Sequence, residues 1–203
     1  MKETFHGWAS VRNYDLDKVS DLIVTGRTAK EAVPDKWLIK YLGDSKYGLK
    51  VLDFGCGMGR NTFHIGITNP HWYVVGYDNE GMLSKTSEYY SIHYPQSPLS
   101  NIIFESNWDV LKNDRFDVIF CCLVLQHIYE DALVKYVSDF KNMTSKLIVT
   151  GRRFNDGPGN ESTWKILERS GLVPVSFLHG DQEIDYKPDG YSEDHNTAIY
   201  KLS

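Results

Sequence analysis

The sequence predicts an α/β fold. It is a doubly wound sheet of seven strands, mostly parallel, with helices on both faces and an antiparallel hairpin at one edge. Three observations predict it. Short apolar runs alternate with helix-like segments from residue 49 onward. A glycine-rich turn, Asp53-Phe-Gly55-Cys-Gly57-Met-Gly59, leads from the first run into a helix-like segment. The last two apolar runs are joined by an acidic loop, Gly180 to Asn196, that has no helical pattern.

The elements follow in order. Residues 1–48 have mixed polarity and two helix-like patches, Asp15 to Val24 and Asp35 to Leu42. The second places Trp37, Leu38, Tyr41 and Leu42 on one helical face, and Gly43 ends it. Strand signals lie at Leu49 to Asp53, Trp72 to Tyr77, Asn101 to Glu105 and Phe116 to Cys122. Three more lie at Ser145 to Thr150, Leu172 to Leu178 and Thr197 to Leu202. Helical patterns fill 59–68, 79–92, Glu130 to Met143 and Ser162 to Ser170. No repeat, low-complexity tract or Gly/Pro/Ser-rich linker divides the chain. Residues 1–203 are therefore read as one domain, with 1–48 a helical lid and 49–203 the α/β core.

Composition narrows the function classes. The 203 residues are 41% hydrophobic and 24% charged, which excludes disordered and fibrous classes. The formal charge of −5 counts against a basic nucleic-acid-binding face. The three cysteines, Cys56, Cys121 and Cys122, have no zinc-site spacing, and the last two are adjacent in sequence. They point to a reducing, cytoplasmic setting and to no metal. No run reaches the ~18 apolar residues of a membrane span, and no signal-peptide pattern opens the chain. The sequons at Asn142 and Asn160 are read as chance matches.

The glycine turn carries the most information. Glycine allows a tight turn and close approach to the backbone, and the helix that follows presents free N–H groups. The segment resembles motif I of the class I S-adenosylmethionine-dependent methyltransferases, D-x-G-x-G-x-G, with Asp53, Gly55, Gly57 and Gly59 in place. The longer string LDFGCGMGRNT is also similar to the tellurite-resistance and thiopurine-type branch of small-molecule methyltransferases. A nicotinamide fingerprint needs a glycine where this chain has Arg60, and it lacks the acid at Asp53. The resemblance implies a Rossmann-like core, S-adenosylmethionine as cofactor and S-adenosylhomocysteine as product. It covers residues 49–151, about half of the chain.

Carried over residue by residue, it implies a cofactor site. Asp53, Gly55, Cys56, Gly57, Gly59 and Arg60 form the loop, and Arg60 meets either the cofactor carboxylate or solvent. VVGYDNEGML looks like the second motif, so Asp78 takes the ribose hydroxyls, with Asn79 and Met82 along the ribose or adenine edge. Asp78 also has the alternative of capping a helix. Asn107 and Trp108 stand where the family reads and covers adenine, although the family usually has Asp in place of Asn107. Trp108 is alternatively a core residue. Cys122 and Leu123, at the end of the fourth strand signal, are expected beside the methionine part. Cys122 is not read as a nucleophile, because the Pro-Cys pair of the pyrimidine enzymes is missing. The [DNS]-P-P-[YF] motif of the amino-methyltransferases is missing too.

The reaction centre is read with alternatives open. His127 follows the fourth strand and is either a general base, its other contact being the cofactor, or a residue packing the next helix. Arg152 and Arg153 follow the fifth strand and either clamp an acidic group on the substrate or sit in solvent. Tyr14, or Trp8, either covers the sulfonium by a cation–π contact or anchors the terminus. The leading expectation is methyl transfer to an O, N or S atom of a small-molecule acceptor. The alternatives are a nucleic-acid or protein methyltransferase on the same fold, a non-catalytic cofactor-binding protein, and a nicotinamide-dependent reductase. No motif speaks to the acceptor's identity or to oligomeric state.

Overall fold

Apolar runs of four or five residues form the centre of the sheet because both of their faces are covered. In the computed structural model, β1 (Lys50–Phe54) and β4 (Val118–Cys122) are buried along nearly their whole length. The structure describes residues 34, 39–42, 47–153, 163–180, 182–185 and 191–202. The remaining strands are β2 (Tyr73–Tyr77), β3 (Ile102–Glu105), β5 (Lys146–Arg153), β6 (Pro174–His179), β7 (Gln182–Ile184) and β8 (Tyr191–Lys201).

The strand order is β3-β2-β1-β4-β5-β8-β6-β7. β1 to β5 run parallel to one another, with Asp53 level with Gly76 on one side and Phe120 on the other. β8 runs antiparallel to both β5 and β6, and β7 pairs antiparallel with β6. The order reverses between β1 and β4, since the chain leaves β1 for β2 and β3 and then returns to β4 on the other side. Crevices beyond the carboxyl ends of strands at such a reversal are where open α/β sheets bind ligands.

The predicted class holds, with one correction. The sheet has eight strands where the sequence predicts seven, and the extra one is β7, inside the expected acidic loop. Its Gln-Glu-Ile sequence is short, mostly exposed and without an apolar alternation. It forms because Gly180, at φ 58°, turns the chain back onto β6. β6 and β8 pair antiparallel as expected, but β8 lies inside the sheet and β7 takes the outer position.

Alternate side chains feed two cores, as strand geometry requires. Leu52, Phe54, Ile119, Cys121, Leu147 and Val149 pack on one face, with the helix Glu130–Met143. That helix buries Leu133, Val137, Phe140 and Met143 on one stripe, and it has Glu130 and Asp131 in its first turn and Lys141 in its last. Val51, Val74, Val118, Phe120 and Ile148 pack on the other face, with Leu42, Ile65 and Trp72. Leu42 closes α1 (Ile39–Leu42), the described part of the predicted Asp35 to Leu42 helix. Ile65 lies in α2 (Arg60–Thr68). The predicted helix 79–92 is two helices, α3 (Glu80–Leu83) and α4 (Thr86–His93). A short α5 (Trp108–Leu111) follows β3, α6 is Glu130–Met143, and α7 is Thr163–Arg169.

Candidate active site

The glycine loop connects β1 to α2 at the point where strand order reverses. Gly55, Gly57 and Gly59 have φ of 75°, 60° and 87°, which L side chains rarely adopt. The loop is held from β2. The Gly55 and Cys56 N–H groups both donate to the Tyr77 carbonyl, at 2.8 and 3.0 Å. Gly57 N–H donates to Asp78 Oδ2 at 2.8 Å. A Cβ on Gly59 would crowd the Phe63 and Phe104 rings at 2.8 Å. A Cβ on Gly55 would overlap the methyls of Val124, which lies on the loop leaving β4.

The two acids differ in role. Asp53 is 1% exposed and faces into the protein, where Thr62 Oγ1 donates to its Oδ2 at 2.6 Å. It ties β1 to the first turn of α2. Burial raises its carboxyl to about 6, against the lowering effects of the Thr62 hydroxyl and the nearby Arg60 charge. Asp78 is partly exposed at the end of β2. Its Oδ1 accepts from Asn79 N at 2.8 Å and Asn79 Nδ2 at 3.1 Å. Burial also raises Asp78 to about 6, while the Gly57 and Asn79 N–H groups pull it down. Oδ2 takes one hydrogen bond, from Gly57, and a carboxylate oxygen has capacity for a second.

Asn79 caps α3, with its Oδ1 accepting Met82 N–H at 3.1 Å, and Met82 is buried. Cys56 is buried with its Sγ 3.7 Å from the Gly57 carbonyl, and burial pushes its thiol well above the usual range. Asn107 is exposed and caps α5, with its Oδ1 accepting Asp109 N–H at 3.0 Å. Trp108 sits edge-on to Phe54, with centroids 5.3 Å apart, and close to Tyr77, Tyr136 and Phe140. Its indole N–H donates to Asp139 Oδ2 at 2.8 Å. These contacts place Trp108 over the ends of β1 and β2 and against α6.

The β4 exit brings the remaining residues to the same edge. Arg60 reaches from α2 to Cys122 Sγ at 3.9 Å, and Thr150 Oγ1 lies 3.5 Å from the same sulfur. Leu123 has φ 61°, the one positive value among described non-glycine residues. His127 closes a short 3-10 turn, Leu125–His127, with its Nε2 3.2 Å from Gln126 Nε2. Arg152 and Arg153 lie in β5, beside this loop in the strand order. Tyr14 and Trp8, with most of the proposed lid, fall outside the described residues.

Sequence reasoning did not anticipate three contributors. Thr62 supplies the partner of Asp53, Val124 fills the space over Gly55, and Thr150 joins the Cys122 sulfur. Thr62, in the first turn of α2, reaches Asp53 of β1 across the glycine loop, a pairing that follows only once the loop length is known. Val124 comes from the loop after β4 and Thr150 from β5, and neither carries a local signal.

The groups present suit a nucleoside cofactor with a charged amino-acid tail. An acid with open acceptor capacity stands beside a loop of glycines in the positive-φ region, and a guanidinium stands at the β4 edge. Among the described residues, no cluster of three or more His, Cys, Asp or Glu is arranged to hold a metal ion.

Comparison with known proteins agrees. Residues 52–146 match the family model for the methyltransferase domain. No curated protein sequence matches the chain. Among solved structures, an O-methyltransferase family 2 protein from Planctomyces limnophilus in complex with apigenin superposes with a TM-score of 0.64 at 12% identity. That match covers 94% of this chain and 62% of the other, so this chain spans about three fifths of that protein's length. A SAM-dependent methyltransferase from Aquifex aeolicus superposes at 0.61 and 17% identity, over 96% of this chain and 98% of that one. Magnesium protoporphyrin IX methyltransferase from Synechocystis with bound S-adenosylhomocysteine superposes at 0.56 and 17% identity, over 83% and 80%. At these identities the structures establish the shared fold, and the family model supplies the sequence match. Residues 52–146, just under half of the chain, thus match a methyltransferase domain in sequence, on a fold shared with solved SAM-dependent methyltransferases.

Proposed function

We propose that this methyltransferase transfers a methyl group from S-adenosylmethionine to an O, N or S atom of a small-molecule acceptor. The observation that carries this is the tie between Asp78 and Gly57 at the sheet's reversal point, which joins an acceptor for hydroxyls to a backbone cradle. S-adenosylmethionine supplies a methyl group made electrophilic by its sulfonium. The chain's own part is binding, orientation and, for a hydroxyl acceptor, proton removal.

Asp78 is assigned to the ribose hydroxyls, Gly55 to Gly59 to the cofactor's close approach, and Asn79 and Met82 to the adenosine edge. Asn107 and Trp108 are assigned to the adenine side, and Arg60, Cys122 and Leu123 to the amino-acid tail. His127 is assigned as the base, and it is dispensable for a thiolate or free amine. Arg152 is assigned to an acidic group on the acceptor, and Tyr14 to the cover over the sulfonium. A cytoplasmic setting suits the three buried cysteines, none of which forms a disulfide. The net charge of −5 favours a small acceptor over a nucleic acid.

The test is calorimetric titration with S-adenosylhomocysteine, with NADH in parallel, followed by an acceptor screen read as S-adenosylhomocysteine formation. Micromolar binding of the first ligand alone, and turnover on a small acceptor, are expected. NADH binding in its place would return the reductase alternative. Turnover confined to RNA or protein would overturn the small-acceptor assignment.

A further inference from the structure

The loop that leaves β4 is under conformational strain. Leu123 occupies the left-handed region at φ 61°, where a branched side chain is strained. Such a state persists only when its surroundings hold it. Here its N–H donates to the Thr150 carbonyl of β5 at 3.0 Å. Directly after the kink comes Val124, and the following residues wind into the 3-10 turn. His127 N–H donates to the Val124 carbonyl at 2.9 Å, so the same residue that starts the turn also carries its end.

The side chain of Val124 makes the second half of the connection. Both of its methyls occupy the space in which a Cβ of Gly55 would sit. Gly55, at φ 75°, is the first residue of the glycine loop, and its N–H and that of Cys56 hang on the Tyr77 carbonyl. Val124 thus touches the cofactor-side loop with its side chain and the His127 turn with its backbone. No other described glycine of the loop is met by a residue of the β4 exit.

We propose that Val124, aimed by the strained Leu123 kink, is a positioning residue that transmits the order of the glycine loop to the turn carrying His127. Cofactor bound at residues 55–59 then stiffens the turn, so the acceptor-side group is placed only when the methyl donor is in the site. The inference rests on the cofactor and His127 assignments above, yet its mechanical part concerns two loops of this chain and is measurable without any ligand.

The test is amide hydrogen exchange on the wild type, Val124→Ala and Val124→Ile. In the free protein, Val124→Ala should speed exchange several-fold both at Gly55 and Cys56 and at His127, while amides of β6 and β8 stay unchanged. Val124→Ile, which keeps a β-branched side chain, should restore protection at both places. With saturating S-adenosylhomocysteine, the wild type should gain protection at 55–59 and at 124–128 together. In Val124→Ala the gain at 55–59 should remain and the gain at 124–128 should be lost. If Val124→Ala leaves Gly55 and Cys56 unaffected in the free protein, or keeps the ligand-induced gain at 124–128, the link is overturned. Absence of any ligand-induced protection at 55–59 would instead strike the cofactor assignment, and the free-protein comparison would still decide the link.

Discussion

Asp78 Oδ2 accepts the Gly57 N–H at 2.8 Å, which pins the middle of the glycine loop to the end of β2. The carboxylate therefore serves the loop before any ligand arrives, and a ligand hydroxyl would share an oxygen that is already held in place.

Asp78→Ala should weaken S-adenosylhomocysteine binding by about 1–3 kcal/mol, the cost of leaving polar partners unmatched. Calorimetric titration measures it. Equal affinity in wild type and variant would remove Asp78 from the ribose site.

Binding should also depend on pH. Burial raises the Asp78 carboxyl to about 6, so it is protonated below that value and ionised above it. Hydroxyl donors favour the ionised form. Affinity for S-adenosylhomocysteine should therefore be level above about pH 7 and fall as pH drops through 6, by up to about tenfold per unit. Asp78→Asn should flatten the profile. A wild-type profile that is already flat from pH 5 to 8 would sink the prediction.

Asp53 makes an opposite-sense contribution to stability. Its folded-state value of about 6 lies above the ordinary 3.8, so the folded form holds the proton more tightly than the unfolded form. Stability from this group is present below pH 3.8 and is lost as pH rises toward 6. Asp53→Asn retains an oxygen acceptor for the Thr62 hydroxyl and has no charge to bury. Urea unfolding should show the variant gaining on wild type between pH 4 and 6 and holding that margin above. A margin that is constant with pH would show that the buried charge has no such effect.

Gly55→Ala should be strongly destabilising. The left-handed backbone alone costs roughly 1–2 kcal/mol for a residue with a Cβ. Overlap with Val124 adds to it, and thermal unfolding reads the sum. Pairing the change with Val124→Ala should recover part of the loss. No recovery in the double variant would mean the overlap is relieved in another way.

His127→Ala should abolish turnover on a hydroxyl acceptor and leave S-adenosylhomocysteine affinity nearly unchanged. Retained turnover would make His127 a packing residue of the turn.

Much of this was legible because local chemistry dictates it. Val51, Leu52 and Phe54 form a buried strand in any sheet with two covered faces, and three alternate glycines announce a turn that side chains cannot make. Asp78 was legible from its distance to that turn. What escaped depends on partners far along the chain. Nothing near Trp108 reveals that its N–H will meet Asp139 across 31 residues. Nothing in Val124 reveals that it will stand over Gly55. β7 escaped because Gln182 and Glu183 are exposed and its pairing with β6 is set by the Gly180 turn. The inward position of β8 follows from topology, to which a strand's own residues are blind.

That inward position has a consequence for how the chain is made. β8 is synthesised after both of the strands it separates, β5 and β6. Until residues 191–201 leave the ribosome, the apolar β5, with Leu147, Ile148 and Val149 fully buried in the finished sheet, presents an open edge. β6 and its short hairpin partner wait as a separate fragment. The sheet is thus completed by insertion, and the interval before insertion is when the nascent protein is most exposed to strand pairing with the wrong neighbour.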